Sequence, residues 1–423
     1  MLRHGVPVAP VGLGHRPNLS HPLGTVATVK ILHTSDWHVG RSIRGRSRAD
    51  EHEAVLAEIG SIARAEEVDV VLVVGDLFES KAPTAESEEI VFRALLDLAS
   101  TGATVVVVAG NHDSARRLEA LQPLLELGRI VARPGAAEAD EGGVVEVRSK
   151  DGRERGLVAT LPFLSQRQVV SADDLVLLDA GDHRHRYAVH VAGRLARLAE
   201  RFEPDTVNLV AAHLTVTGGR LGGGERAAHT VFDYEVPAGA FPSSAQYVAL
   251  GHLHRRQRLP GDGEVHYCGS PLALDFGEVR DTKAVLVVEA RAGEPASVRD
   301  VPLRAGRPLR VVRGTFDQLA ATVVDSDAWL KVVVEERART GLADEVRDLF
   351  PTAVDVCIAA PAPTEARRAT DPAAQRSPTD LFTAFLADRG VDDPDLARLF
   401  ADVLDEVESA GDEPLPVQHE RVA

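Results

Sequence analysis

Five short apolar runs, spread over more than two hundred residues, each give way to residues suited to holding divalent metals. The runs cover 29–32, 68–74, 104–109, 207–212 and 247–250. The tips that follow are Asp36-Trp37-His38, Gly75-Asp76, Gly110-Asn111-His112-Asp113, His213 and Gly251-His252-Leu253-His254. Runs this short, apolar throughout and separated by helix-like stretches, predict a sheet buried on both faces. Ligands of open α/β sheets gather outside the carboxyl ends of the strands. The five tips are therefore expected on one metal-binding edge of one sheet. Asp36 and His38 are two apart, as are His252 and His254, so strand geometry carried through them points each pair to one side.

The intervening segments support an α/β class. A helix is expected over about 50–67. Pro83-Thr84 opens another, with Glu86, Glu88 and Glu89 in its first turns, where the helix dipole favours acids. The result is a β-α-β-α-β progression with a parallel core. Residues 135–182 are less regular and suggest hairpins or edge strands, and 186–202 reads as helix. The Gly-rich stretch 218–224, directly after His213, suggests a mobile substrate loop; it lacks the Lys-Ser/Thr of a phosphate-binding P-loop.

From about Pro302 the pattern changes. Strand-like segments at 309–312, 329–334 and 353–358 alternate with helical ones at 316–323 and 342–350, a small separate unit. Residues 361–376 form a Pro/Ala/Arg linker. Ser377-Pro378-Thr379-Asp380 is a capped helix start, leading into Leu381, Phe382, Phe385 and Leu386. A second helix starts at Asp393-Pro394, with Leu396, Leu399, Phe400, Val403, Leu404 and Val407 on one face. Such a pair beyond a linker buries itself poorly alone, which makes it a candidate docking element for a partner helix. Residues 1–28 carry His4, His15 and His21 among Pro and Gly and lack a signal-peptide pattern. They read as an extension, or as an over-long start ahead of the first strand.

Composition excludes several classes. A net charge of −17 argues against non-specific coating of nucleic acid, though not against local basic contacts. No apolar run approaches the roughly 18 residues of a membrane helix. Cys268 and Cys357 form no metal-type spacing and fit a reducing cytosol. Lysine stands only at 30, 81, 150, 283 and 331, so nearly all positive charge is arginine. With so much Ala and Val, that matches GC-rich codon usage and is not functional by itself.

Singly, His213 would read as a structural histidine and Asp76 as a turn cap; the five tips together point to metal chemistry. Carboxylate, amide oxygen and imidazole without thiolate suit Mn²⁺, Fe²⁺ or Zn²⁺. The donors are too many for one ion. Two are expected, about 3.5–4 Å apart and bridged by a carboxylate, an arrangement suited to phosphate ester hydrolysis.

Asp-x-His, Gly-Asp, Gly-Asn-His-Asp, His and Gly-His-x-His, in this order, resemble the calcineurin-like metallophosphoesterase family. His33-Thr34-Ser35-Asp36-Trp37-His38-Val39-Gly40 resembles more closely its SbcD branch, the nuclease subunits of SbcCD complexes. So do Gly75-Asp76-Leu77-Phe78, Gly110 to Ser114, His213-Leu214-Thr215-Val216, Gly251 to His254 and Gly269-Ser270-Pro271-Leu272. The resemblance covers 29 to about 290 and the tail from 377; the middle matches only in position and size. It implies a four-layer β-sandwich flanked by helices over 29–290 and a small α+β capping domain over 302–360. A partner-binding helix pair would follow at 377–410.

The resemblance also implies roles. Asp36, His38, Asp76 and His254 would hold one metal; Asp76, Asn111, His213 and His252 would hold the other, with Asp76 as the bridge. His112 corresponds to the catalytic histidine that contacts the scissile phosphate and protonates the leaving oxygen, with Asp113 orienting its imidazole. Mn²⁺ is the family's usual ion, with Mg²⁺, Fe²⁺ or Zn²⁺ as alternatives. Arg41, Arg44, Arg46 and Arg48, with Arg116, Arg117, Arg255 and Arg256, lie beside the motifs and are expected to contact the DNA backbone. The implied enzyme is a cytoplasmic, nucleoid-associated 3′→5′ exonuclease and single-strand endonuclease that cuts hairpins in DNA repair, recombination and replication. Its partner would be an SbcC-type coiled-coil ATPase, in a heterotetramer built on a homodimer of the nuclease. The alternatives are a phosphatase or cyclic-nucleotide phosphodiesterase of the same fold, or a non-catalytic scaffold. Protein phosphatases of this fold carry Gly-Asp-x-Val-Asp-Arg-Gly, whereas residues 75–81 lack the Asp-Arg-Gly.

Overall fold

Valine-rich runs bounded by glycine and capped helices build two stacked sheets. The computed structural model describes residues 28–165, 169, 180–223, 225, 235–261, 263–324, 327–359, 378–389 and 393–409. The chain opens with β1 (Val29–Thr34), α1 (Ala49–Ala65), β2 (Val70–Val74), α2 (Ala85–Ser100), β3 (Thr104–Val108), α3 (Ala115–Leu127) and β4 (Ile130–Arg133). It continues with β5 (Val144–Arg148), β6 (Arg155–Leu161), α4 (Ala180–Ala199), β7 (Val207–His213), β8 (Thr215–Val216) and β9 (Glu235–Val236). Then come β10 (Tyr247–Gly251), β11 (Gln257–Arg258), β12 (Val265–Tyr267), β13 (Ala284–Ala290) and β14 (Ser297–Pro302).

One sheet has the order β14-β13-β1-β2-β3-β4, the other β11-β12-β10-β7-β6-β5. Strands β1 to β4 are parallel, and so are β6, β7, β10 and β12; antiparallel neighbours close the edges. The two-residue period sorts the side chains. Val70, Leu72 and Val74 of β2 pack between the sheets with Leu209 and Ala211 of β7. Val71 and Val73 face Val55, Ile59, Val91 and Leu95 of α1 and α2. On the far side, Val210 and Ala212 pack under Tyr187, Val191 and Leu195 of α4. The layers therefore run helix, sheet, sheet, helix. Each fully buried Val or Leu contributes about 1.5–3 kcal/mol. Helix α2 begins where Thr84 accepts the Ser87 N–H, and α3 where Ser114 accepts the Arg117 N–H.

The small unit holds β15 (Leu309–Gly314), α5 (Phe316–Ala320), β16 (Trp329–Val334), α6 (Leu342–Leu349) and β17 (Ala353–Ile358), in a parallel sheet of order β15-β16-β17. It docks on the larger body through Ile43, Phe276 and Leu309 and through the Arg44–Asp355 ion pair. The buried Glu51 carboxylate of α1 adds a third tie. It accepts from Trp329 Nε1, the Arg307 N–H and the Arg48 guanidinium. Last come α7 (Pro378–Asp388) and α8 (Pro394–Ser409), joined by Phe382 stacked on Phe400 at 4.1 Å.

Several expectations change. The five tips belong to two facing sheets, not one, because β7 and β10 pair with each other and stack across β2. The expected boundary at 290 cuts off β14, which completes the first sheet through Pro302. Of the expected mobile loop, Gly222 and Gly223 donate their N–H groups to Glu225, which anchors this part of it. The extension before Thr28 and the linker 361–376 lie outside the described residues. Among the described residues no helix is long and apolar enough to cross a membrane.

Candidate metal centre

The tips of β1, β2, β3, β7 and β10 meet on one rim because glycine lets the sheets close up there. A Cβ on Gly251 would lie 1.8 Å from the Val74 carbonyl oxygen, and one on Gly110 would lie 2.1 Å from Asp76 Oδ1. Strand geometry does not continue through the tips, as the two-residue spacing had suggested. Asp36, His38, Asp76 and His252 all have positive φ, at 52°, 47°, 51° and 105°. Such backbone costs of order 1–3 kcal/mol per residue and persists only where surroundings impose it. Here the Asp36 N–H donates to the Gly75 carbonyl, the His38 N–H to the Asp76 carbonyl and the His252 N–H to Asp36 Oδ1.

Three imidazoles have their Nδ1–H groups committed behind the site. His38 donates to Glu79 Oε2 at 3.1 Å, His213 to the Val74 carbonyl at 3.0 Å and His254 to Glu278 Oε1 at 3.2 Å. Their Nε2 atoms therefore present lone pairs inward. His38 Nε2 and His254 Nε2 lie only 3.1 Å apart. Asp76 Oδ2 sits 3.5 Å from both His38 Nε2 and His213 Nε2, midway between two groups of donors. Asn111 Oδ1 lies 3.1 Å from His213 Nε2 and 3.0 Å from His252 Nδ1. Two clusters result: Asp36, His38 and His254 on one side of Asp76, and His213, His252 and Asn111 on the other. Lone pairs this close repel unless a cation or proton lies between them. The donor set thus fits two divalent ions.

The electrostatics agree. Burial pushes the Asp36 carboxyl up. Burial acts the same way on Asp76, but His213, His112 and His38 outweigh it and hold that carboxyl well below its usual range. Burial alone would lower His213, yet Asp76 lifts it to about 9; His254 rises against burial because Glu278 and Asp36 face it. His38 falls to about 4, chiefly by burial. The carboxylates draw protons onto His213 and His254 where they would otherwise draw cations.

His112 stands beside this cluster, its ring 4.7 Å from that of His38. Its N–H donates to Asp76 Oδ1 and its Nδ1–H to the Glu79 carbonyl at 2.7 Å. That carbonyl, not Asp113, orients the imidazole. The Asp113 carboxylate instead accepts the Gly110 N–H of its own tight turn and the Phe78 N–H of the segment after β2. Burial and then Asp76 push it to about 6.

The expected DNA contacts divide. Arg48 is buried in an ion pair with Glu51 and is structural; Arg44 ties the small unit through Asp355. Arg41 pairs with Glu79 beside His38. Arg117 pairs with Glu88, Arg255 with Asp281 and Arg256 with Asp300, all at the surface, and Arg46 and Arg116 are exposed. Of the expected partner contacts, Leu381, Phe385 and Leu399 point outward and Leu404 is half-buried; Phe382 and Phe400 serve the helix pair's own contact.

Sequence reasoning missed four residues. Glu79 follows Asp76 by three, a proximity that could have flagged it. Glu278, Glu225, which accepts the His254 N–H, and Phe163, stacked on His252 at 6.0 Å, carried no local signal.

Comparison with known proteins adds to this geometry. The calcineurin-like phosphoesterase family profile matches residues 29–256, and the family described as type 5 capsule protein repressor C-terminal domain matches 305–389. The chain is 35% identical over 292 residues to the SbcD component of the SbcCD nuclease of Bacillus subtilis, covering 66% of this chain and 71% of that one. Against the SbcD protein of Rhodobacter capsulatus it is 35% identical over 316 residues, covering 69% and 76%. Against that of Escherichia coli K12 the identity is 29% over 316 residues, covering 73% and 76%.

Proposed function

This chain belongs to the calcineurin-like phosphoesterase family, and we propose that it works as the nuclease component of an SbcCD-type complex, hydrolysing DNA phosphodiester bonds. One observation carries the metal chemistry. His38 and His254 turn inward Nε2 atoms 3.1 Å apart while their Nδ1–H groups are held by carboxylates behind them. That arrangement leaves both Nε2 atoms free to share a cation, or a proton in its absence. On this reading Asp36, His38, Asp76 and His254 hold one ion, and Asp76, Asn111, His213 and His252 hold the other. We assign Mn²⁺ to both, the usual ion of the family this chain resembles and one that the oxygen-and-imidazole donor set admits.

When bound, the two ions activate a water and neutralise charge on the phosphoryl oxygens. The chain's own residues supply the rest. His112, held through Nδ1 by the Glu79 carbonyl, carries a proton at Nε2 toward the leaving oxygen. Phe163 walls the side occupied by His213 and His252. Arg46, Arg116 and Arg255 are exposed, and on this reading they contact flanking phosphates. The polarity is 3′→5′ on duplex ends, with endonuclease action on single strands and hairpins. Leu381, Phe385 and Leu399 on the outer face of α7 and α8 support docking to an SbcC-type coiled-coil ATPase. The assembly is a heterotetramer on a nuclease homodimer, located in the cytoplasm on DNA.

The test is purified protein with Mn²⁺ and end-labelled hairpin DNA. His112→Gln should lower kcat about 10²–10⁴-fold while manganese stays bound. Undiminished cutting removes His112 from the mechanism. Hydrolysis of small phosphate monoesters with intact DNA would instead make the chain a phosphatase.

A further inference from the structure

We infer that Glu79 is a positioning residue that sets the protonation geometry of a metal ligand and of the proton donor at once, through two different parts of itself; this rests on the two-metal reading above. Its side chain serves the metal. Oε2 accepts the His38 Nδ1–H at 3.1 Å, and Oε1 accepts from Arg41 Nη1 at 2.9 Å. The imidazole is thereby fixed with its lone pair at Nε2, 3.5 Å from Asp76 Oδ2. A carboxylate behind a ligating imidazole also raises its basicity. Its main chain serves the proton donor, because the Glu79 carbonyl accepts the His112 Nδ1–H at 2.7 Å.

The carbonyl cannot drift. The Glu79 N–H donates to the Val39 carbonyl, the Val39 N–H to the Leu77 carbonyl and the Phe78 N–H to Asp113 Oδ1. Residues 76–79 are thus laced to 36–39, the segment that carries His38. A single residue in this ladder thus holds the Nδ1–H of two imidazoles, with ring centroids 4.7 Å apart, and so fixes the direction of each Nε2. Glutamate suits the task because its two oxygens satisfy an imidazole and a guanidinium together. A glutamine amide has one acceptor and would have to turn its NH₂ toward one of the two donors.

Glu79→Gln separates the two roles, since it changes the side chain and leaves the carbonyl. Manganese calorimetry on the full chain should resolve two classes of site. The variant should weaken one class about 10–100-fold and leave the other at wild-type affinity. Ring-¹⁵N spectra of the metal-free protein should show the His38 resonances moved and those of His112 unchanged. Two unaltered classes, or a moved His112 with an unmoved His38, overturns the inference. A wild-type chain that takes up no manganese overturns the two-metal reading and this assignment with it.

Discussion

Replacing Glu51 with alanine is expected to destabilise the chain by about 3–5 kcal/mol, the usual cost of removing one partner of a buried ion pair. The magnitude follows from what is left behind. The Arg48 side chain is fully buried, and both its Nε and Nη2 donate to Glu51, while Nη1 donates to the Ala273 carbonyl. Without the carboxylate a guanidinium remains charged in the interior. Trp329 Nε1 and the Arg307 N–H lose their acceptor as well, so docking of the small unit loosens with it. A urea titration followed by tryptophan fluorescence reads this directly, since Trp37 lies in the larger body and Trp329 at the junction. The double variant Arg48→Met with Glu51→Leu removes the charge along with its partner. Its loss should shrink to about 1–3 kcal/mol, the cost of the orphaned donors. A single variant within about 1 kcal/mol of wild type, or a double variant no better than the single, refutes the reasoning.

Burial, then His266, pushes His33 down to about 3, whereas an unfolded histidine titrates near about 6.5. Between those values the unfolded chain binds more protons. The contribution of His33 to stability should therefore fall by about 1.4 kcal/mol per unit as pH drops below about 6.5, levelling off near the folded value. His33→Asn should flatten that slope in urea midpoints taken across the range, and an unchanged slope sinks the assignment. Adding Mn²⁺ to the chelated protein should raise its melting temperature, with a gain of about 2.7 kcal/mol at a hundredfold excess over Kd; a melting curve indifferent to manganese contradicts the reading of the paired imidazoles. Leu381→Ser with Phe385→Ser and Leu399→Ser should abolish co-purification with the ATPase and spare hairpin cutting, whereas retained co-purification rules out this docking face.

Much of the site was legible because its chemistry sits in short contiguous tips. Gly110-Asn111-His112-Asp113 brings amide, imidazole and carboxylate together within one turn, and Gly251-His252-Leu253-His254 does the same with two imidazoles. The helices were legible for a similar reason: Thr84 caps α2 within three residues of its own position. The small unit could be read as alternating strands and helices because each of its elements has its own period. Asp113 shows where such reading stops. Its place beside His112 suggested a partnership, yet a turn this tight directs the carboxylate to the Gly110 and Phe78 backbone instead.

From periodicity alone came five strands of the two large sheets, their order along the chain and the candidate metal-binding side chains at their ends, since these depend on neighbours a few residues apart. Only the tertiary structure decided that the strands divide between two sheets, that Arg48 belongs to the interior, and that Glu79 and Glu278 stand behind His38 and His254. Those outcomes depend on which surfaces meet across the fold. Glu278 reaches His254 across 24 positions of chain, and a pairing at that separation follows from packing between distant segments, which local propensity does not encode.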